Sequence, residues 1–177
     1  AEVGVNHNQD LERALEMIDV GADAGADTVK FQVFKAELVA SRFAPKAEYQ
    51  NLTTEKGESQ LDMIRKLGLD WDGFPRLMAR CSERGVGFLV SPFDLPSIDF
   101  LVRDLGLDLL KVPSGEITNG PFLVAIGRTG RKIILSTGMA TMAEVENALG
   151  VLAFGYTEDD AEPSQEAFKA AYPSSAG

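Results

Sequence analysis

Two lysines lie inside stretches that otherwise read as buried β-strand. Lys30 sits in Thr28-Val29-Lys30-Phe31-Gln32-Val33-Phe34, and Lys111 in Leu109-Leu110-Lys111-Val112-Pro113-Ser114-Gly115-Glu116. Side chains alternate faces along a strand, so Lys30 and Gln32 point one way and Val29, Phe31 and Val33 the other. An ammonium is costly to bury unless an anion meets it. Two such lysines, each followed by polar groups, predict a polar cavity that holds a doubly anionic small molecule.

Further polar residues end the remaining strand-like stretches. Lys30, Lys111, Ser114 and Ser136 are suited to bind a phosphate and a carboxylate through charge-assisted hydrogen bonds. Gly115 and Gly138 let backbone N–H groups approach a ligand closely. Glu2 and Glu116 bring carboxylates to the same end, and partial burial of such a group favours proton transfer. The chemistry indicated is proton handling beside a bound dianion. A Lys–Glu pair that merely neutralises itself is the competing reading of Glu2 with Lys30. The spread of the full set over four strands weighs against it.

Other residues read more plainly. Ser91-Pro92-Phe93-Asp94 fits a strand exit and helix start as well as it fits substrate contact, and Asn119 reads as a helix cap. His7, the one histidine, cannot alone make a His-rich metal site; it is either a hydrogen-bonded strand-end residue or a catalytic one. Cys81, among Leu77, Met78 and Val86, reads as core, and Trp71 and Phe74 as helix packing.

The elements that must position these groups alternate strand and helix. Strands are expected over residues 2–6, 28–34, 87–91, 109–113 and 132–136. Helices are expected over 10–24, from Ser59, over 71–84, from Pro96 and Ser97, over 120–126 and from Thr141. Leu11, Ala14, Leu15, Ile18 and Ala22 form an apolar stripe on the first helix, and Gly25 terminates it. Ser59 with Asp62, and Thr141 with Glu144, resemble capping boxes. Residues 35–58 read as a long polar connection of the functional kind.

Repeated strand–helix units imply a parallel sheet covered by helices. The first turn, Asn6-His7-Asn8-Gln9, lacks the glycines of a dinucleotide-binding loop. Polar groups at the strand ends instead match a (β/α)8 TIM-type barrel, whose site lies at the carboxyl ends of its strands. The α/β reading is therefore that only about the first five βα units of such a barrel are present. Residues 1–156 form this part, and 157–177 are a polar insertion or loop.

The 177 residues carry a net charge of −10, which argues against nucleic-acid and anionic-membrane partners. No apolar run approaches the roughly 20 residues of a membrane helix. The first residues read as a strand rather than a signal peptide, and a single cysteine fits a reducing, cytoplasmic setting. The acidic stretch 158–162 reads as a solvated loop.

Five motifs in order, Glu2-Val3-Gly4-Val5-Asn6-His7-Asn8, Val29-Lys30-Phe31-Gln32, Phe88-Leu89-Val90-Ser91-Pro92-Phe93-Asp94, residues 111–119 from Lys111 to Asn119, and Ile134-Leu135-Ser136-Thr137-Gly138-Met139, resemble the sialic acid synthase family. The resemblance runs from residue 1 to about 156. It implies condensation of phosphoenolpyruvate with an N-acylated amino sugar of the N-acetylmannosamine type, giving a nonulosonic acid and phosphate. C3 of phosphoenolpyruvate attacks the open-chain aldehyde, water adds at C2, and the tetrahedral intermediate loses phosphate. By this resemblance Lys30, Lys111, Ser114 and Ser136 hold phosphoenolpyruvate, and Ser91 takes a position that is often threonine. Glu2 handles the proton or the water, and Gln32 and Glu116 face the sugar. A divalent metal, Mn or Mg, polarises the aldehyde, with ligands that are not in this chain.

The resemblance also implies a homodimer of the full-length protein, closed by a C-terminal antifreeze-like domain that this sequence does not contain. The family's His-Cys-Thr-type strand ending in Tyr-Pro is not matched by Ala167-Phe168-Lys169-Ala170, so Tyr172-Pro173 reads as coincidence. Two other readings remain. A synthase of the 3-deoxy-octulosonate 8-phosphate type needs a second cationic cluster, for which Lys35, Arg42 and Lys46 are on offer. A non-catalytic anion-binding barrel would keep the pocket without turnover.

Overall fold

The computed structural model describes residues 1–44, 59–157 and 161–173. The protein is α/β with parallel strands, and it divides into two compact units, Ala1–Ser97 and Ile98–Gly177.

The first unit contains β1 (Glu2–Gly4), α1 (Leu11–Asp23), β2 (Thr28–Val33), α2 (Ala36–Val39), α3 (Gln60–Arg65), a 3-10 turn at Trp71–Gly73, α4 (Phe74–Glu83), β3 (Gly87–Pro92) and the start of α5 (Leu95–Asp99). Its sheet is ordered β1-β2-β3, all parallel. Val29, Phe31 and Val33 are buried on one face of β2, as alternation predicts, while Lys30 and Gln32 on the other are half-buried. The α1 stripe buries Ala14, Leu15 and Ile18, but Gly21 completes it rather than Ala22.

Strand one is shorter than expected. Gly4 has φ +57°, the ladder slips between Glu2 and Gly4, and both the backbone N–H and Nδ2 of Asn6 donate to the Val3 carbonyl at 3.0 Å. The chain turns where the sequence pattern continues as strand. The stretch 35–58 is not loop throughout, because α2 occupies its start; residues 45–58, including Lys46, lie outside the described residues. Ser59 caps α3 by accepting from the Asp62 N–H at 3.1 Å, as its motif predicts.

The second unit contains the end of α5 and a π-helical turn at Phe100–Asp104. Then come β4 (Leu109–Val112), a 3-10 turn at Ser114–Glu116, α6 (Gly120–Gly127), β5 (Lys132–Leu135), α7 (Met142–Thr157) and α8 (Gln165–Ala171). The strands β4 and β5 pair in parallel, with Lys111 opposite Ile134. Thr141 and Glu144 form the predicted capping box: the Thr141 N–H donates to Oε2 of Glu144 at 2.7 Å, and the Glu144 N–H to Oγ1 of Thr141 at 3.3 Å.

Helix α6 crosses α7 at backbone contact. A Cβ on Gly155 would lie 2.8 Å from the Val124 carbonyl oxygen and 3.0 Å from Cα of Gly127. Residues 157–177 are not simply a loop. Ser164 caps α8 by accepting from the Ala167 N–H at 3.1 Å, and Phe168 packs edge-on against Phe154 with ring centroids 5.2 Å apart. Residues 158–160 of the acidic stretch lie outside the described residues. Among the described residues no helix is long and apolar enough to cross a membrane.

Candidate active site

In the first unit the polar face of the sheet gathers four of the predicted residues. Register sets Glu2 opposite Lys30 and Gln32 opposite Ser91. The Lys30 ammonium forms an ion pair with the Glu2 carboxylate; the lysine side chain is 18% exposed and the glutamate 53%. The cation is therefore largely covered, while its carboxylate partner still reaches water. A Cβ on Gly4 would stand 3.0 Å from Oε1 of Glu2 and 3.8 Å from Nε2 of Gln32. Glycine leaves room for both polar ends beside its backbone, and its positive φ suits no other residue as well. Ser91 is 1% exposed, and its Oγ is buried with no hydrogen-bond partner among the described residues. An orphaned buried hydroxyl is a costly feature, of the kind concentrated at functional sites.

In the second unit the ends of β4 and β5 gather the rest. The Lys111 ammonium donates to Oγ of Ser136 and, at 2.9 Å, to the Val112 carbonyl. The Ser136 N–H extends the ladder by donating to the same carbonyl at 3.0 Å. Ser114 lies under the loop that follows β5, since a Cβ on Gly138 would be 3.4 Å from its Oγ. Lys111, Ser114, Ser136 and Gly138 thus share one corner, rich in hydroxyl donors and close-approach backbone. Glu116 accepts from Nδ2 of Asn119 at 2.7 Å, while Oδ1 of Asn119 accepts from the Phe122 N–H at 3.3 Å and caps α6. The cap reading of Asn119 holds, and Glu116 is tethered to the N-terminus of a helix, where negative charge is favoured.

His7 is buried, and its Nδ1 accepts from the Gln9 N–H at 3.2 Å. Burial pushes its pKa below the usual 6.5, with Asp10 pulling the other way. Cys81 is core, its thiol pushed up to about 11 by burial. Trp71 takes the Lys35 ammonium 4.9 Å from its ring centroid, and Arg42 lies 4.6 Å from the ring of Phe43. Asp94 is a buried hydrogen-bond acceptor for two backbone N–H groups, Lys35 at 2.6 Å and Ser97 at 2.8 Å. The sequence gives half of that signal, an aspartate before a Pro-Ser helix start. The bond to Lys35 has no local signature. Among the described residues no three His, Cys, Asp or Glu side chains cluster to hold a metal ion.

Comparison with known proteins gives a consistent result. Residues 17–170 match the NeuB family. The N,N'-diacetyllegionaminic acid synthase of Campylobacter jejuni is 52% identical over 86% of this chain and 45% of its own length. The N-acetylneuraminate-9-phosphate synthase of Homo sapiens is 32% identical over 80% of this chain and 39% of its own. A crystal structure of an N-acetylneuraminic acid (sialic acid) synthetase from Leptospira borgpetersenii, in complex with citrate, superposes with a TM-score of 0.72 at 31% identity. It covers 88% of this chain and 50% of that one. The chain spans less than half the length of these two curated relatives.

Proposed function

Since this chain belongs to the NeuB family, we propose that it is the first part of a (β/α)8-barrel synthase that joins phosphoenolpyruvate to an N-acylated amino sugar and releases phosphate. The product is a nonulosonic acid of the sialic or legionaminic kind. The observation that carries this reading is the Lys111 ammonium donating to Ser136 at the carboxyl ends of two parallel strands, with Ser114 in the same corner.

In this reading Lys111, Ser114 and Ser136 bind phosphoenolpyruvate, and Lys30 orients Glu2. Ser91 supplies a buried hydroxyl, and Gln32 and Glu116 face the sugar. Glu2, oriented by Lys30 and open to water, exchanges the proton of the water that adds at C2. The new bond joins C3 of phosphoenolpyruvate to the aldehyde carbon, whose oxygen becomes a hydroxyl. Addition of water at C2 and cleavage of the C2–O bond then leave a 2-keto acid and phosphate.

Among the described residues, the candidate ligands do not fit the divalent metal of such synthases. Glu2 is paired with Lys30, Glu116 accepts from Asn119, and His7 is buried with Nδ1 accepting an amide N–H. The roles above are those of protein groups alone. A phosphorylated-sugar substrate would call for a second cationic cluster. Lys35 lies over Trp71 and Arg42 over Phe43, and no cluster of the two is part of this reading.

The test is phosphate release by the full-length protein with phosphoenolpyruvate, a divalent metal and N-acetylmannosamine or a related 2-acetamido hexose. Release dependent on both substrates is expected. Binding of phosphoenolpyruvate without release for any such sugar would favour the non-catalytic barrel instead.

A further inference from the structure

We propose that Asp94 is a positioning residue that clamps the exits of β2 and β3, and so holds Gln32 and Ser91 side by side. The proposal rests on the function given above and names a group that it does not use.

The last register pair of the β2–β3 ladder is Val33 with Pro92. Proline has no N–H to donate, so this is a natural place for the ladder to fray. Two bonds lie beyond it. The Phe93 N–H donates to the Val33 carbonyl at 3.2 Å, and the Lys35 N–H donates to Oδ2 of Asp94 at 2.6 Å. The second is a ladder bond in which a side-chain carboxylate replaces the backbone acceptor. The other oxygen, Oδ1, accepts from the Ser97 N–H at 2.8 Å at the start of α5.

One carboxylate therefore joins β2, β3 and α5 at a single point. Asp94 is 6% exposed and Ser97 fully buried, so water does not compete for these bonds. Charge-assisted bonds of this kind, in a water-poor setting, are stronger than neutral ones. Gln32 and Ser91 lie three residues before the two clamped positions, Lys35 and Asp94, and directly opposite one another. Loosening the clamp lets the two exits separate, and that moves the amide and the hydroxyl without removing either.

The test uses Asp94→Ser in the full-length protein. Serine is a good helix cap and keeps the bond to Ser97, but it is too short to reach Lys35. Amide exchange over residues 33–37 should rise at least about tenfold while exchange at Ser97 is unchanged. KM for the amino sugar should rise about tenfold with kcat within a few-fold, because binding geometry is lost rather than a reacting group. Should Asp94→Ser fail to fold, Asp94→Asn keeps the volume and offers one acceptor oxygen instead of two, with the same readouts expected.

Unchanged exchange over 33–37 overturns the clamp, whether or not the protein turns over. Faster exchange with wild-type KM values overturns its positioning role. A wild-type protein that releases no phosphate overturns the function above instead, and the exchange measurement still decides the clamp.

Discussion

The two strand-end lysines share a sequence pattern and differ in their electrostatics. Lys30 meets the Glu2 carboxylate across the β1–β2 ladder. Lys111 donates to a serine hydroxyl and a backbone carbonyl at the ends of β4 and β5. A cation already facing a carboxylate has less net attraction for a further anion. The same residue type in the same strand context thus meets a carboxylate in one unit and hydroxyl and carbonyl acceptors in the other. In the proposed reaction, proton handling belongs to the first and dianion binding to the second.

The largest expected effect tests that division. In the full-length protein Lys111→Ala should lower kcat/KM for phosphoenolpyruvate by roughly 10²–10³-fold, the scale of losing one strong charge-stabilising donor. Lys30→Ala should cost less in KM for phosphoenolpyruvate and more in kcat, because it leaves Glu2 without the partner that orients it. Steady-state kinetics of both variants decide the matter, and a larger KM effect from Lys30 than from Lys111 would break the comparison. The double variant sharpens it. Groups that act on one ligand give non-additive effects of about 0.5–3 kcal/mol, whereas strict additivity would assign the lysines to separate steps.

A second contrast concerns the scaffolds. The first unit ties α1 to α4 with half-buried ion pairs, Arg84 to Asp19 and Asp23 and Arg80 to Asp19. The second brings α6 and α7 to backbone contact at Gly127 and Gly155. Partly solvated ion pairs contribute on the order of 1 kcal/mol or less, while forcing extra volume into a closed contact costs about 1–3 kcal/mol. Urea denaturation should therefore show Gly155→Ala as the more destabilising change by about 1–2 kcal/mol over Arg84→Ala. Equal losses would mean that α6 shifts to accept a methyl group, against the rigid contact described.

How much of this was legible in the sequence follows from the range of each interaction. The five strands and the caps at Ser59, Asn119 and Thr141 rest on period-two alternation or on partners three residues apart, and such signals are local. The strand-end polar residues were legible for the same reason, since parity along a strand decides which face a side chain takes. The early end of β1 was not, because Gly4 at positive φ overrides a run that reads as strand. The π-helical turn at Phe100–Asp104, closed by the Leu105 N–H donating to the Phe100 carbonyl at 3.1 Å, leaves no mark on the apolar pattern. The Asp94 bond to Lys35 joins residues 59 apart in sequence and is a product of the folded sheet. Helix α8 was hidden by its alanine-rich, polar composition, and it packs on α7 through Phe168 against Phe154 and through close backbone approach at Gly150.

The smallest expected effect separates the units by pH. The only histidine of the chain lies in the first unit, buried, with its pKa lowered from 6.5. The unfolded chain takes up the His7 proton near 6.5, and the folded one only at lower pH. Stability from this group is therefore complete above about 6.5 and declines as pH falls from there towards the lowered folded value. The second unit has no histidine to titrate in that window. Between pH 7.5 and 5.5, amide exchange governed by local opening should accelerate more in the peptides of Ala1–Ser97 than in those of Ile98–Gly177, after correction for intrinsic rates. His7→Asn keeps a side-chain acceptor for the Gln9 N–H and removes the titration, so the excess in the first unit should shrink. An excess that survives the substitution would assign the pH response to carboxylates and leave the buried histidine without a part in it.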